Sequence, residues 1–293
     1  MNNKKTINHV TPGKYQESKF EKIHSVIFKS ASVASKVVAD EIANSIKKKK
    51  NKPFVLGLAT GSSPIGVYKE LVRLHKKEGL SFKNVITFNL DEYYQISRDD
   101  NKSYYSFMHR HLFSHIDIPK ENINIPDGEI SEDKIQDYCG KYENKIKRYG
   151  GIDFQLLGIG RTAHIGFNEP GSNINSETRL IALDEITRED ASSEFNGLNF
   201  VPKRAITMGI STILKSKRIV LLAWGHKKSN IIAKTIEGEV SSSAPATFLQ
   251  NHKNTTFVLD KESSADLTKF KTPWLVKDIK WNDNKKKKAI IWL

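Results

Sequence analysis

Cysteine is almost absent from this chain. Cys139 is the only one in 293 residues, so no internal disulfide can form, and a reducing, cytoplasmic setting is the expectation. No run of ~18 consecutive apolar residues exists, which excludes a transmembrane helix. The opening stretch Met1–Val10 lacks the apolar centre of a secretory signal. The zinc-protease spacing HExxH and the Gly-x-Ser-x-Gly elbow of serine hydrolases are missing as well. No Gly-Lys-Ser/Thr closes a Walker loop. His109, His111 and His115 show only a weak metal-like spacing and read as core or surface residues. No metal is expected.

Lysine, by contrast, is plentiful. The net charge is +14, and 38 of the 47 basic residues are lysine. Runs at residues 47–50 and 285–288 supply much of the excess. Such a surplus can mark a nucleic-acid partner, but no nucleic-acid motif and no aromatic–basic interleaving accompanies it. A solvated surface that keeps the protein dissolved is the simpler reading. No nucleic acid and no membrane are therefore expected as partners. The 38% hydrophobic and 27% charged composition fits a globular chain with a real core.

Along the chain, residues 1–20 read as a mobile arm, 21–275 as one domain and 276–293 as an extension. Residues 22–29 form a short strand candidate. Residues 30–49 carry Val33, Val37, Val38, Ile42 and Ile46 at helical spacing. Apolar runs at 54–59, 85–90, 154–159, 218–223 and 255–259 then alternate with helical stretches at 64–77, 103–115, 132–149 and 227–237. Strands that are apolar without alternation, separated by helices, predict an α/β fold: a doubly wound, Rossmann-like parallel sheet covered by helices on both faces. Ligands of such sheets bind beyond the carboxyl ends of the strands, which nominates residues 60–64, 91–95, 160–170 and 224–228.

Thr60, Gly61, Ser62 and Ser63 follow a strand and open a helix. Small residues and free N–H groups at that point suit a phosphate, and a plain strand-to-helix turn is the competing reading. Asp91 and Glu92 are adjacent carboxylates at a strand end. Neighbours on a strand face opposite ways, so one can serve as a base while the other anchors structure; a helix N-cap or a solvated turn is the alternative. The third segment, Gly158-Ile-Gly-Arg-Thr-Ala-His-Ile-Gly-Phe-Asn-Glu-Pro170, delivers His164, able to exchange protons near neutral pH, with Glu169 close enough to orient it. Its first six residues fit the dinucleotide fingerprint Gly-x-Gly-x-x-Ala. That fingerprint must open a helix, and Gly166, Asn168 and Pro170 oppose one, so no nicotinamide cofactor is expected. In the fourth segment Lys228 could meet a phosphate as a point charge or be one more surface lysine.

At these residues the chain resembles the glucosamine-6-phosphate deaminase family. The resemblance runs from about residue 20 to about 270, through Leu-Ala-Thr-Gly-Ser-Ser-Pro (58–64), Val-Ile-Thr-Phe-Asn-Leu-Asp-Glu-Tyr (85–93), Ser-Tyr-Tyr-Ser-Phe-Met-His-Arg (103–110), Ile-Pro-Lys-Glu-Asn-Ile-Asn (118–124), His-Ile-Gly-Phe-Asn-Glu-Pro (164–170) and Val-Pro-Lys-Arg-Ala-Ile-Thr-Met-Gly (201–209). It implies an enzyme without a cofactor that turns an amino-sugar phosphate into a ketose phosphate and ammonia. By position, Asp91 is the base that moves a proton between C2 and C1, with Glu92 beside it. His164 assists ring opening, Glu169 tunes His164, and residues 60–63 with Lys228 hold the phosphate. Two departures stand out. Short family members carry Asp at the place of Thr162, and their phosphate-binding arginine has no clear counterpart near residues 192–194, which leaves Arg161, Arg188 or another cation as a substitute. Arg179 matches an allosteric position, whereas Ile181 stands where short members have lysine. The form Gly-Arg-Thr-x-His-Ile-Gly-Phe-Asn-Glu-Pro-Gly resembles a longer subgroup with a second domain, so the extension at 276–293 is expected to be the junction to one. A homo-oligomer is compatible with the resemblance. The rival readings are a sugar-phosphate-binding module with little catalysis and a lactonase or simple isomerase sibling.

Overall fold

The computed structural model describes residues 20–49 and 52–276. The arm at 1–20, apart from Phe20, and the extension at 276–293, apart from Val276, lie outside the described residues. So do Lys50 and the second lysine run.

In chain order the elements are β1 (His24–Phe28), α1 (Ala31–Lys48), β2 (Phe54–Leu58), α2 (Ile65–Glu78), β3 (Val85–Asn89), β4 (Asp91–Tyr93), α3 (Tyr104–His111), β5 (Ile123–Asn124), α4 (Ile135–Arg148), β6 (Phe154–Leu157), β7 (Arg179–Ala182), α5 (Glu185–Ala191), β8 (Arg204–Thr207), α6 (Ile210–Leu214), β9 (Ile219–Ala223), α7 (Ser229–Glu237), β10 (Thr255–Asp260) and α8 (Thr268–Lys271). Every strand and helix named from the sequence pattern is present, with ends shifted by a few residues. The helix expected over 103–115 stops at His111 and continues as a separate 3-10 turn, Phe113–His115. Pro64 caps α2 from outside its first turn.

Seven strands make one sheet in the order β1-β10-β9-β6-β2-β3-β5, and every pairing in it is parallel. β2, β3, β6 and β9 are buried along their whole length, which is why they carry no polar alternation. One sheet face packs Leu56, Leu58 and Leu222 against Val38 and Ile42 of α1 and Tyr68 and Leu71 of α2. The other packs Phe88, Leu221 and Phe257 against Tyr142 and Ile146 of α4 and Ile232 and Ile236 of α7. Helices therefore cover both faces, as predicted. The order reverses between β2 and β6, so the loops leaving these two strands lie side by side, and a crevice opens at this kind of switch point.

A second, three-stranded antiparallel sheet, β4-β8-β7, was not foreseen. Residues 91–93 follow β3 with one residue between and pair with 205–207. Strands this short leave no periodic signature. The small sheet is nonetheless a platform for the crevice. Met208 N–H donates to Leu90 O (2.6 Å), Thr207 Oγ1 accepts from Phe167 N–H (3.0 Å), and Asn168 Nδ2 donates to Met208 O (2.8 Å). None of the described helices is long and apolar enough to cross a membrane.

Candidate active site

Asp91 opens β4 and is only 5% exposed. Among the described residues nothing donates a hydrogen bond to its carboxyl. Its Oδ2 lies against the Gly166 turn, where a Cβ on Gly166 would sit 3.3 Å from it; Gly166 also has φ +57, so a side chain there would meet both strain and crowding. Burial, with the charge of Glu92 added, pushes the Asp91 carboxyl well above the usual carboxylate range. A carboxylate in that condition is a strengthened base.

Glu92 points the other way. It accepts from the backbone N–H groups of Tyr93 (2.9 Å), Tyr104 (2.9 Å) and Tyr105 (2.8 Å). The last two open α3, where helical N–H groups have no partner of their own. Burial pushes Glu92 up to about 7, against the pull of those three donors and of Arg98. The adjacent carboxylates thus divide as strand geometry requires: Asp91 at the crevice, Glu92 as the anchor of α3.

After β6 the chain turns tightly through residues 158–168 without forming a helix. This lets His164 fold back on Gly160, where a Cβ would fall 2.0 Å from Nε2; only glycine fits. Ala163 holds a left-handed φ of 62°, an uncommon strain for a residue with a Cβ, and its carbonyl accepts from Ala246 N–H (2.8 Å). His164 Nδ1 lies 3.2 Å from Glu169 Oε2 and 3.0 Å from Thr162 Oγ1. Burial pulls the Glu169 carboxyl upward, but the hydrogen bond and charge of His164, the Thr187 hydroxyl and the Asp184 N–H outweigh it, and the net shift is downward. Thr187, on α5, also reaches His164 Nδ1 at 3.2 Å; the sequence reading did not name it. Nothing local in the sequence ties it to His164, 23 positions away.

The remaining nominated residues surround these. Gly61 sits at φ +88. The loop 60–63 is held from two sides: the Tyr68 hydroxyl donates to Ala59 O, just before it, and Trp224 Nε1 donates to Ser63 O (3.0 Å). Tyr104 stacks on Phe167 and packs on Tyr93, so α3, β4 and the His164 loop share one aromatic cluster. Lys228 Nζ donates to Ile159 O (2.8 Å), one residue before Gly160; burial lowers its pKa. Arg161 turns outward. It is about half exposed and pairs with Glu189 (3.3 Å) and Asp190 (3.0 Å) of α5. Arg188 donates to Leu198 O (3.0 Å). Arg179 donates to Asn168 Oδ1 (3.0 Å) and Ser172 Oγ (3.1 Å), bracing the His164 loop from β7. Among the described residues no group of three or more His, Cys, Asp or Glu is placed to hold a metal ion.

Residues 29–258 match the family model described as glucosamine-6-phosphate isomerases/6-phosphogluconolactonase. A glucosamine-6-phosphate deaminase of Clostridium acetobutylicum is 50% identical over 230 residues, 78% of this chain and 94% of that protein. A glucosamine-6-phosphate deaminase-like protein of Bacteroides thetaiotaomicron is 44% identical over 98% of this chain, which spans only 45% of that longer protein. A solved monomeric glucosamine-6-phosphate deaminase superposes with a TM-score of 0.80 at 42% identity, covering 83% of this chain and 99% of its own. The 6-phosphogluconolactonase of Trypanosoma cruzi, at 23% identity and a TM-score of 0.65, shares the fold. This chain belongs to the family of glucosamine-6-phosphate isomerases and 6-phosphogluconolactonases.

Proposed function

We propose that this protein converts glucosamine 6-phosphate and water to fructose 6-phosphate and ammonia, through ring opening, aldose–ketose isomerisation and deamination. One observation carries the reading: a buried carboxyl, Asp91, without donors among the described residues, stands across a single glycine turn from a His164–Glu169 pair. That arrangement supplies both proton carriers the reaction needs. His164, with Nδ1 directed at Glu169, passes a proton to the ring oxygen as the pyranose opens. Asp91 then takes the proton from C2 and returns it to C1. Because C2 bears the amine, the intermediate is an enolamine, and reprotonation at C1 leaves an imine at C2. Water adds to that carbon and ammonia departs.

The 6-phosphate lies at the loop Thr60, Gly61, Ser62, Ser63 with Lys228, and supplies binding energy remote from the reacting carbons. On the β6 side Thr162 faces His164 and Glu169, and Arg161, paired outward with Glu189 and Asp190, adds positive charge near the rim without a direct phosphate contact. The working unit is the domain of residues 21–275, and it acts in the cytoplasm. There Cys139, whose thiol burial and Glu143 push up to about 11, stays protonated and inert.

The test is simultaneous measurement of ammonia and fructose 6-phosphate from glucosamine 6-phosphate. Equal amounts of both support the proposal. Binding without either product would mark a sugar-phosphate-binding module. Hydrolysis of 6-phosphogluconolactone without ammonia release would mark a lactonase.

A further inference from the structure

Three oxygens crowd one nitrogen. His164 Nδ1 has Thr162 Oγ1 at 3.0 Å, Glu169 Oε2 at 3.2 Å and Thr187 Oγ1 at 3.2 Å. Nδ1 carries at most one proton, so only one of the three can accept from it. An ionised carboxylate accepts most strongly, which assigns that proton to Glu169. The two hydroxyls are then free to turn their own protons onto the same carboxylate. The Thr162 hydroxyl donates to Glu169 Oε2 at 3.4 Å, and the Thr187 hydroxyl is among the groups that hold the Glu169 carboxyl below its ordinary range. Among the described residues Nε2 has Gly160 against it but no hydrogen-bond partner.

Thr187 is 6% exposed and sits on α5, far in sequence from the His164 turn. A buried threonine on a helix commonly returns its proton to the carbonyl one turn back. This one leaves its helix for the imidazole. The same helix grips the turn twice more: Asp184 N–H donates to Glu169 Oε1 (3.4 Å), and Arg161 donates to Ile186 O (3.3 Å) while pairing with Glu189 and Asp190.

Building on the deaminase reading, we infer that Thr187 is a positioning residue: together with Thr162 it holds Glu169 as the acceptor of the His164 Nδ1 proton, so that Nε2 is the nitrogen that exchanges a proton with substrate. Two neutral hydroxyls from separate elements thereby do at this position what a second carboxylate would do by charge. The arrangement keeps a single negative charge behind the imidazole, held ionised by its donors.

Thr187→Val and Thr187→Ser separate this role from packing. Thr187→Val keeps the branched shape and loses the hydroxyl; Thr187→Ser keeps the hydroxyl. Thr187→Val is expected to lower kcat about tenfold or more, the scale of a lost hydrogen bond to a charged group, with KM within about twofold. Its acid limb should move to higher pH, because Glu169 loses a donor that keeps it ionised. Thr187→Ser should stay near the parent. The Nδ1 proton of His164, followed by NMR, should be sheltered from water in the parent and in Thr187→Ser and exchange rapidly in Thr187→Val. A Thr187→Val enzyme with parental kcat and an unmoved acid limb would overturn the inference. So would equal loss in both variants together with a lowered melting temperature. If the parent releases no ammonia, the function proposal fails, and the NMR comparison of the same three proteins still decides the role of Thr187.

Discussion

Asp91 and Glu169 are both buried carboxyls at one crevice, yet their surroundings are opposite. Asp91 has no hydrogen-bond donor among the described residues, and its pKa rises. Glu169 is surrounded by donors from His164, Thr162, Thr187 and Asp184, and its pKa falls in spite of burial. Burial alone therefore does not set the role of either group. The supply of donors does: it keeps one carboxyl as a standing negative charge and leaves the other basic enough to take a proton. Glu92 lies between the two: it shares the burial of Asp91 and accepts from three N–H groups of β4 and α3, which oppose burial without overcoming it, and its pKa rises to about 7.

The strongest test of this contrast is Asp91→Asn, which should lower kcat about 10³-fold by removing the base. The same change should stabilise the fold. A raised folded pKa means the native state keeps a proton that the unfolded chain gives up near the ordinary value of 3.8. Stability therefore falls as pH rises from that value through the raised one, and an amide removes the penalty. A higher melting temperature for Asp91→Asn at pH 8, alongside lost ammonia release, is the expected outcome.

Glu169→Gln should lower kcat by about 10- to 100-fold with the opposite stability sign. Its depressed folded pKa contributes stability above the unfolded value of 4.5, lost as pH falls through the folded value. The variant should thus melt below the parent at pH 7 and converge with it in acid. Glu92→Ala strips the acceptor from three N–H groups and should cost about 1–3 kcal/mol in denaturant unfolding, with KM little changed. Arg161→Ala is the smallest. Its partners are exposed, and such pairs contribute about 0–1 kcal/mol, so KM for the sugar phosphate should move by about threefold or less. A tenfold rise would make Arg161 a phosphate ligand in its own right.

The main sheet was legible because its strands announce themselves. Phe54–Leu58 and Ile219–Ala223 are buried on both faces and uniformly apolar, and α1 repeats its apolar residues at helical spacing. The rule that ligands sit beyond strand ends then singled out Asp91, His164, Glu169 and the 60–63 loop. The second sheet was not legible, because three- and four-residue strands such as Asp91–Tyr93 and Arg204–Thr207 make their pairs through partners more than a hundred residues apart. Thr187 was missed for the same reason: its partner His164 is 23 positions away and across a turn. The outward pairing of Arg161 depends on α5, a short helix without an apolar stripe.

The most direct measurement follows the C2 hydrogen. Glucosamine 6-phosphate deuterated at C2 is incubated with the parent and with Asp91→Asn, and deuterium at C2, at C1 of the product and in solvent is counted. Loss of deuterium from C2 in the parent and its retention in Asp91→Asn is the expected result. Loss from C2 at the parental rate in Asp91→Asn would show that another group moves this proton, and would contradict the division of labour between the two carboxyls.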